Sequence, residues 1–305
     1  MSIIEKALQK KQKASKPSLI SQAMAEQPDN ETSPPAPEQA EKHDLANSQH
    51  QPNKAVLHID TDRLERCGMV SHSNNKANPQ ITNEYRSIKR KIIHNAFGQA
   101  ASHHENGNLV MISSSRPSEG KTFTSVNLAL SLASEKDKTV LLVDADVLKP
   151  STGKLLEIDV NNKPGLIDFL LGEVKSVSEV IYQTSIPNLR ILPAGTSHHL
   201  SNELLASDKM ASLTKELATR YPDRLVLFDC PPLLGVEETI TVSKLLGQAM
   251  IVVEHGKTKM ADVEKAISEL NKQMAIGFIV NKAMQGAYSQ YEYGYGDDYK
   301  KESQS

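Results

Sequence analysis

Leu109-Val110-Met111-Ile112-Ser113-Ser114-Ser115-Arg116-Pro117-Ser118-Glu119-Gly120-Lys121-Thr122-Phe123 sets the reading of this chain. Four apolar residues in a row predict a buried strand, and the Gly-Lys-Thr after them opens a segment of helical periodicity from about Thr122 to Ser134. Strand, tight turn and helix in that order make a phosphate-binding loop. Gly120 lets backbone amides approach a phosphate, the Lys121 ammonium reaches the β- and γ-phosphates, and the Thr122 hydroxyl is a ligand for Mg²⁺. Pro117, Ser118, Glu119 and Phe123 complete the expected ATP-binding loop. Ser115 stands where the usual pattern has its first glycine.

On either side of the loop, short apolar runs alternate with helical stretches. Ile81, Tyr85, Ile88, Ile92 and Ala96 recur at helical spacing before the first strand, beside Arg86, Lys89, Arg90 and Lys91. Later strands are expected at Val140–Val143, Leu189–Leu192, Leu225–Phe228, Met250–Val253 and Ile276–Val280, with a helix near Asn202 to Thr219. Such alternation predicts an α/β fold, a doubly wound and mostly parallel sheet covered on both faces. Two strands end in acid: Val143-Asp144-Ala145-Asp146, and Phe228-Asp229-Cys230-Pro231-Pro232. A triphosphate site draws on carboxylates at neighbouring strand ends to hold Mg²⁺ and its waters. Asp144, Asp146 and Asp229 are therefore the expected acidic partners of Lys121 and Thr122.

Over roughly residues 81–305 the chain resembles the bacterial tyrosine kinases of the P-loop type, autokinases of exopolysaccharide export. The resemblance rests on Pro117–Thr122 as Walker A, on Val143–Pro150 as the family's second Walker motif, on Asp229–Pro232 as Walker B, and on a tyrosine-rich tail. The opening Met1-Ser2-Ile3-Ile4-Glu5-Lys6-Ala7-Leu8 resembles the exosortase-associated subgroup, in which the kinase is a separate cytoplasmic chain. The resemblance implies that Lys121 neutralises the transferring phosphoryl group, that Thr122 with Asp144 or Asp146 organises Mg²⁺, and that Asp229 orients a metal-bound water. It implies that Asp144 or Asp146 accepts the phenol proton, without choosing between them, and that Asn281 reads the adenine edge. It also implies phosphorylation of the tail in trans within a homo-oligomer, a two-span polysaccharide chain-length regulator as membrane activator, and a tyrosine phosphatase as a further partner. The family's assembly helix carries Glu, Arg and Arg or Lys at three-residue spacing. Here that frame reads Asn83, Arg86 and Lys89, so Arg86 and Lys89 are the expected self-assembly residues.

Five of the chain's eight tyrosines, Tyr288, Tyr291, Tyr293, Tyr295 and Tyr299, fall within residues 286–305 among glycines and acids. Tyrosines that serve a core need apolar neighbours at helix or strand spacing, and these have almost none. They are the expected phosphorylation sites. At the other end, residues 1–16 have the pattern of a short basic amphipathic helix, suited to a partner or an anionic membrane surface. Residues 17–80 are rich in Pro, Gln, Asn, Ser and Glu and read as a mostly disordered linker. The kinase-like domain is expected over 81–285.

The 305 residues carry a formal net charge of -2, which gives no reason to expect nucleic acid as a partner. Cys67 and Cys230 support no disulfide framework and fit a reducing compartment. No apolar run approaches the length of a membrane span, so a cytoplasmic protein recruited to the inner membrane face by a partner is expected. Two other readings compete: a MinD- or ParA-like switch ATPase, and an ATP-gated adaptor. The switch ATPases carry a signature lysine five residues before the P-loop lysine, and that position here is Arg116.

Overall fold

The computed structural model describes residues 56–70, 79–99, 101, 104–160 and 162–283. The expected N-terminal helix and the tyrosine cluster of the tail lie outside the described residues.

Among the described residues seven strands form one sheet. They are β1 (Leu109–Ser114), β2 (Thr139–Asp144), β3 (Tyr182–Gln183), β4 (Leu189–Leu192), β5 (Arg224–Asp229), β6 (Gln248–Glu254) and β7 (Ala275–Asn281). Their spatial order is β3-β4-β2-β5-β1-β6-β7. Every neighbouring pair is parallel except β3 with β4, so the sheet is mostly parallel as expected. β1 and β5 are buried along their whole length, which is why they read as unbroken apolar runs rather than as alternation.

Helices cover both faces. On one lie α2 (Pro79–Phe97) and α3 (Lys121–Ala133), packed through Tyr85, Ile92, Val126, Leu128 and Leu132 onto Val110, Ile112, Leu142 and Leu227. On the other, α5 (Leu166–Leu171), α7 (Asp208–Thr219), α8 (Glu237–Ser243) and α9 (Met260–Ser268) cover Met111, Val143, Phe228 and Ile251. Two short helices, α4 (Thr152–Leu156) and α6 (Ser201–Leu205), lie between them in the chain. The expected helix from Asn202 to Thr219 is thus two helices. The break falls at Ser207, whose extended backbone and side chain, accepting from Met210 N at 3.2 Å, begin α7 afresh.

The linker expected over residues 17–80 does not extend through residues 56–70. A first helix, α1 (Thr61–Arg66), follows a single bridge of Leu57 to Thr184, and Leu57, Ile59, Leu64, Met69 and Val70 are all buried. Val70 N donates to Asn127 Oδ1 of α3 at 2.7 Å. These apolar residues are too sparse to make a core of their own. They borrow one from the sheet, and local composition carries no trace of that.

Lys89 also departs from expectation. Arg86 is exposed and donates to Asn83 Oδ1 at 3.0 Å, but Lys89 points inward at 8% exposure. Its ammonium donates to Ser131 O at 2.9 Å and Ser134 Oγ at 3.1 Å and pairs with Glu135 at 2.5 Å. It donates to one carbonyl, one hydroxyl and one carboxylate near the C-terminus of α3, where the helix dipole favours a cation. Arg86 and Lys89 therefore do not share a solvent-facing surface.

Candidate active site

The parallel arrangement places the carboxyl ends of β2, β5 and β1 side by side, with Asp144 directly opposite Asp229 and Asp229 opposite Ile112. The loop after β1 returns over these ends and starts α3 at Lys121. Gly120 precedes the helix at φ 100°, and a Cβ there would come within 1.9 Å of Asn281 Nδ2. Only glycine meets both demands. Ser118 also has positive φ, 69°, a strain of about 1 kcal/mol for a residue with a side chain.

Around the start of α3 the predicted residues converge. Lys121 Nζ donates to Asp146 Oδ2 at 2.6 Å, and Thr122 Oγ1 lies 2.7 Å from Ser151 Oγ. Asp229 is fully buried and accepts from Ser125 Oγ at 3.0 Å and Thr152 Oγ1 at 3.4 Å. Asp144 Oδ2 accepts from the backbone amides of Ser151 at 3.2 Å and Thr152 at 3.1 Å. Its other oxygen, Oδ1, is buried with no hydrogen-bond partner among the described residues.

Burial, reinforced by the charge of Asp229, pushes the Asp144 carboxyl up to about 7. Burial raises Asp229 as well. For Lys121 burial acts against the charged form, but the carboxylates of Asp229, Asp146 and Asp144 outweigh it and hold the ammonium above its ordinary range. Burial also drives the Cys230 thiol far up, so it offers no thiolate nucleophile.

An unpartnered carboxylate oxygen, a hydroxyl at the first turn of a helix and a glycine-lined approach suit a hydrated Mg²⁺ carrying phosphates. Among the described residues no group of three or more His, Cys, Asp or Glu could hold a metal by itself. Mg²⁺ needs no such cage when one or two protein oxygens and the substrate phosphates hold it. Beside the loop, a cleft of about 730 Å³ is lined by Tyr85, Ile88, Phe123, Phe278 and Asn281. Asn281 Nδ2 donates to Glu119 O at 2.9 Å, so its amide group rests on the phosphate loop itself.

A model of the AAA domain family matches residues 107–275, a span that holds the loop and all three aspartates but stops short of Asn281. The tyrosine-protein kinase YwqD of Bacillus subtilis is 31% identical over 212 residues, covering 69% of this chain and 84% of that protein. This chain belongs to the bacterial P-loop tyrosine-kinase family. The tyrosine-protein kinase ptk of Acinetobacter johnsonii is 32% identical over 194 residues, which are 63% of this chain and 25% of that protein. The chain thus spans about a quarter of the length of that longer relative. Among solved family structures, the kinase domain of the Escherichia coli tyrosine kinase ETK superposes with a TM-score of 0.61 at 26% identity, covering 79% of this chain and 95% of that one.

Several residues of the site carry no motif of their own. Ser125, Ser151 and Thr152 hold the acids and Thr122 in place, and a polar network through Thr258 and Lys282 touches the phosphate loop. The one available signal was position: Ser151 and Thr152 directly follow the acidic motif and Lys282 follows Asn281. Among the described residues no helix is long and apolar enough to cross a membrane.

Proposed function

We propose that this chain is an ATP-dependent protein tyrosine kinase whose acceptors are Tyr288, Tyr291, Tyr293, Tyr295 and Tyr299. The observation that carries the reading is the convergence of Lys121 with Asp144, Asp146 and Asp229 at the mouth of a P-loop. Phosphoryl transfer needs positioning and charge stabilisation rather than a covalent nucleophile. Mg²⁺, held by Thr122 and the open oxygen of Asp144, would draw off charge from the phosphates. Asp229, fixed by Ser125 and Thr152, would orient a water on the metal. Lys121 would leave Asp146 to reach the transferring group, and that exchange frees the Asp146 carboxylate to accept the phenol proton. Phe123 and Asn281 border the cleft that would take the base.

The family assignment also supports a role in polysaccharide production, with tail phosphorylation in trans between copies and a membrane chain-length regulator as activator. A phosphatase would reset the tail, and the chain would work in the cytoplasm against the inner membrane. Arg116 favours the kinase over a switch ATPase: its guanidinium is spent within the chain on Asp262, at 2.6 and 2.9 Å.

Labelled ATP tests the reading. Label on the tail tyrosines supports a kinase, free phosphate alone supports a switch ATPase, and neither supports an adaptor. A variant with all five tail tyrosines changed to Phe should still bind nucleotide but take up little label, and undiminished labelling would refute the acceptor assignment.

A further inference from the structure

Asn281, the last residue of β7, and Lys282 directly after it hold consecutive carbonyls of the phosphate loop. Asn281 Nδ2 donates to Glu119 O at 2.9 Å, and Lys282 Nζ donates to Ser118 O at 2.7 Å. In a trans peptide the N–H of the next residue points opposite to the carbonyl. Fixing the Ser118 carbonyl toward Lys282 therefore turns the Glu119 N–H away from β7, and fixing the Glu119 carbonyl toward Asn281 does the same for the Gly120 N–H. Neither amide donates to another described residue. Two adjacent N–H groups with no acceptor among the described residues, next to the N-terminus of α3, are what a phosphate oxygen requires.

The support behind these contacts is continuous. Lys282 Nζ also pairs with Glu254 Oε2 at 3.0 Å, and Glu254 N donates to Thr258 Oγ1 at 2.8 Å. The Thr258 hydroxyl donates to the Glu119 carboxylate, whose other oxygen accepts from Arg116 N at 2.9 Å. Glu119 is thus a carboxylate at 4% exposure, held by a hydroxyl and an amide. Lys282 itself takes a positive φ of 57°, a conformation a lysine does not choose freely.

We infer that Lys282 is a positioning residue of the nucleotide site, with Thr258 as its support through Glu254 and Glu119. It acts by orienting the Glu119 amide toward bound phosphate, without touching the nucleotide. The inference rests on the P-loop being the nucleotide site but not on the identity of the phosphate acceptor. Lys282 also stands two residues before the segment that begins at Met284 and leads to the tyrosine tail.

The test is binding of fluorescent ADP with Mg²⁺ to the full chain, with competition by inorganic pyrophosphate, in Lys282→Met, Lys282→Arg and Thr258→Val. Losing one charge-assisted bond and the orientation it imposes should weaken ADP about tenfold in Lys282→Met. Pyrophosphate, which has no base, should weaken in parallel. Lys282→Arg should bind within about twofold of the parent, and Thr258→Val should fall between the two. Thermal unfolding without nucleotide should be unchanged in Lys282→Met, which separates positioning from general destabilisation. Parent-like affinity in Lys282→Met overturns the inference and leaves the kinase reading standing. So does loss of ADP affinity with pyrophosphate unaffected. Absence of binding by the parent chain overturns both.

Discussion

Lys121 Nζ and Asp146 Oδ2 lie 2.6 Å apart, with the two side chains only 12% and 7% exposed. The cation proposed to meet the transferring phosphoryl group is therefore paired within the fold, and the charges of Asp229, Asp146 and Asp144 all favour its ammonium form. Removing one partner of a buried pair leaves the other uncompensated, at a cost of about 3 kcal/mol. Lys121→Met should thus lose phosphotransfer by orders of magnitude and also lower the urea midpoint of the nucleotide-free chain. Lys121→Met with Asp146→Asn should recover at least half of that stability and none of the activity. Equal stability of parent and single variant would show that the pair contributes nothing.

Asp144 should contribute to the pH dependence of stability in the metal-chelated, nucleotide-free chain. Its folded pKa of about 7 stands above the unfolded value of about 3.9. Between those values the folded chain holds a proton that the unfolded chain releases, so stability falls as pH rises through the window. Asp144→Asn has no such proton. Thermal scans in EDTA at pH 5.5 and pH 8 should show a larger fall in midpoint for the parent than for Asp144→Asn, and an identical pair of curves would refute the assignment.

The strands and acids of the site were legible because each is encoded locally. Val140–Val143 and Leu225–Phe228 are buried on both faces, and a fully buried strand shows in any short window. Asp144 and Asp229 follow at once, since a parallel sheet brings strand ends together. What stayed hidden takes its role from a distant partner. Val70 reaches across 57 positions to Asn127, Lys282 across 164 to Ser118 and Lys89 across 42 to Ser131. Lysine in an amphipathic helix reads as solvated from sequence. Only the packed structure shows that this one faces a helix end.

Residues 56–70 supply a stability test. Leu64 is 1% exposed and Met69 is fully buried, both far from the phosphate loop in sequence. Leu64→Ala should cost about 3 kcal/mol, the transfer loss plus the cavity. Asn127→Ala leaves the Val70 amide unpaired and should cost about 1–2 kcal/mol, while Val56→Ala at an exposed position should stay within about 0.5 kcal/mol. Urea unfolding of the three ranks them. A silent Leu64→Ala would mean that the segment is only loosely applied to the sheet.

Arg86 and Lys89 come from one expected assembly motif and should now separate. Lys89 holds three groups near the end of α3 through Ser131 O, Ser134 Oγ and Glu135. Its loss removes one of the two donors to the Ser131 carbonyl, which the Ser134 hydroxyl still reaches at 2.7 Å, and takes a cation from a helix C-terminus, together about 1 kcal/mol. Lys89→Ala should therefore lower the urea midpoint and leave native mass unchanged at concentrations where the variant is folded. Arg86 is exposed, and its bond to Asn83 is local to α2. Arg86→Ala should leave stability within about 0.5 kcal/mol and reduce the native mass of any oligomer that the parent forms through this helix. The reverse pattern, with Lys89→Ala stable but monomeric, would require α2 to turn outward on assembly and give up its contacts with α3.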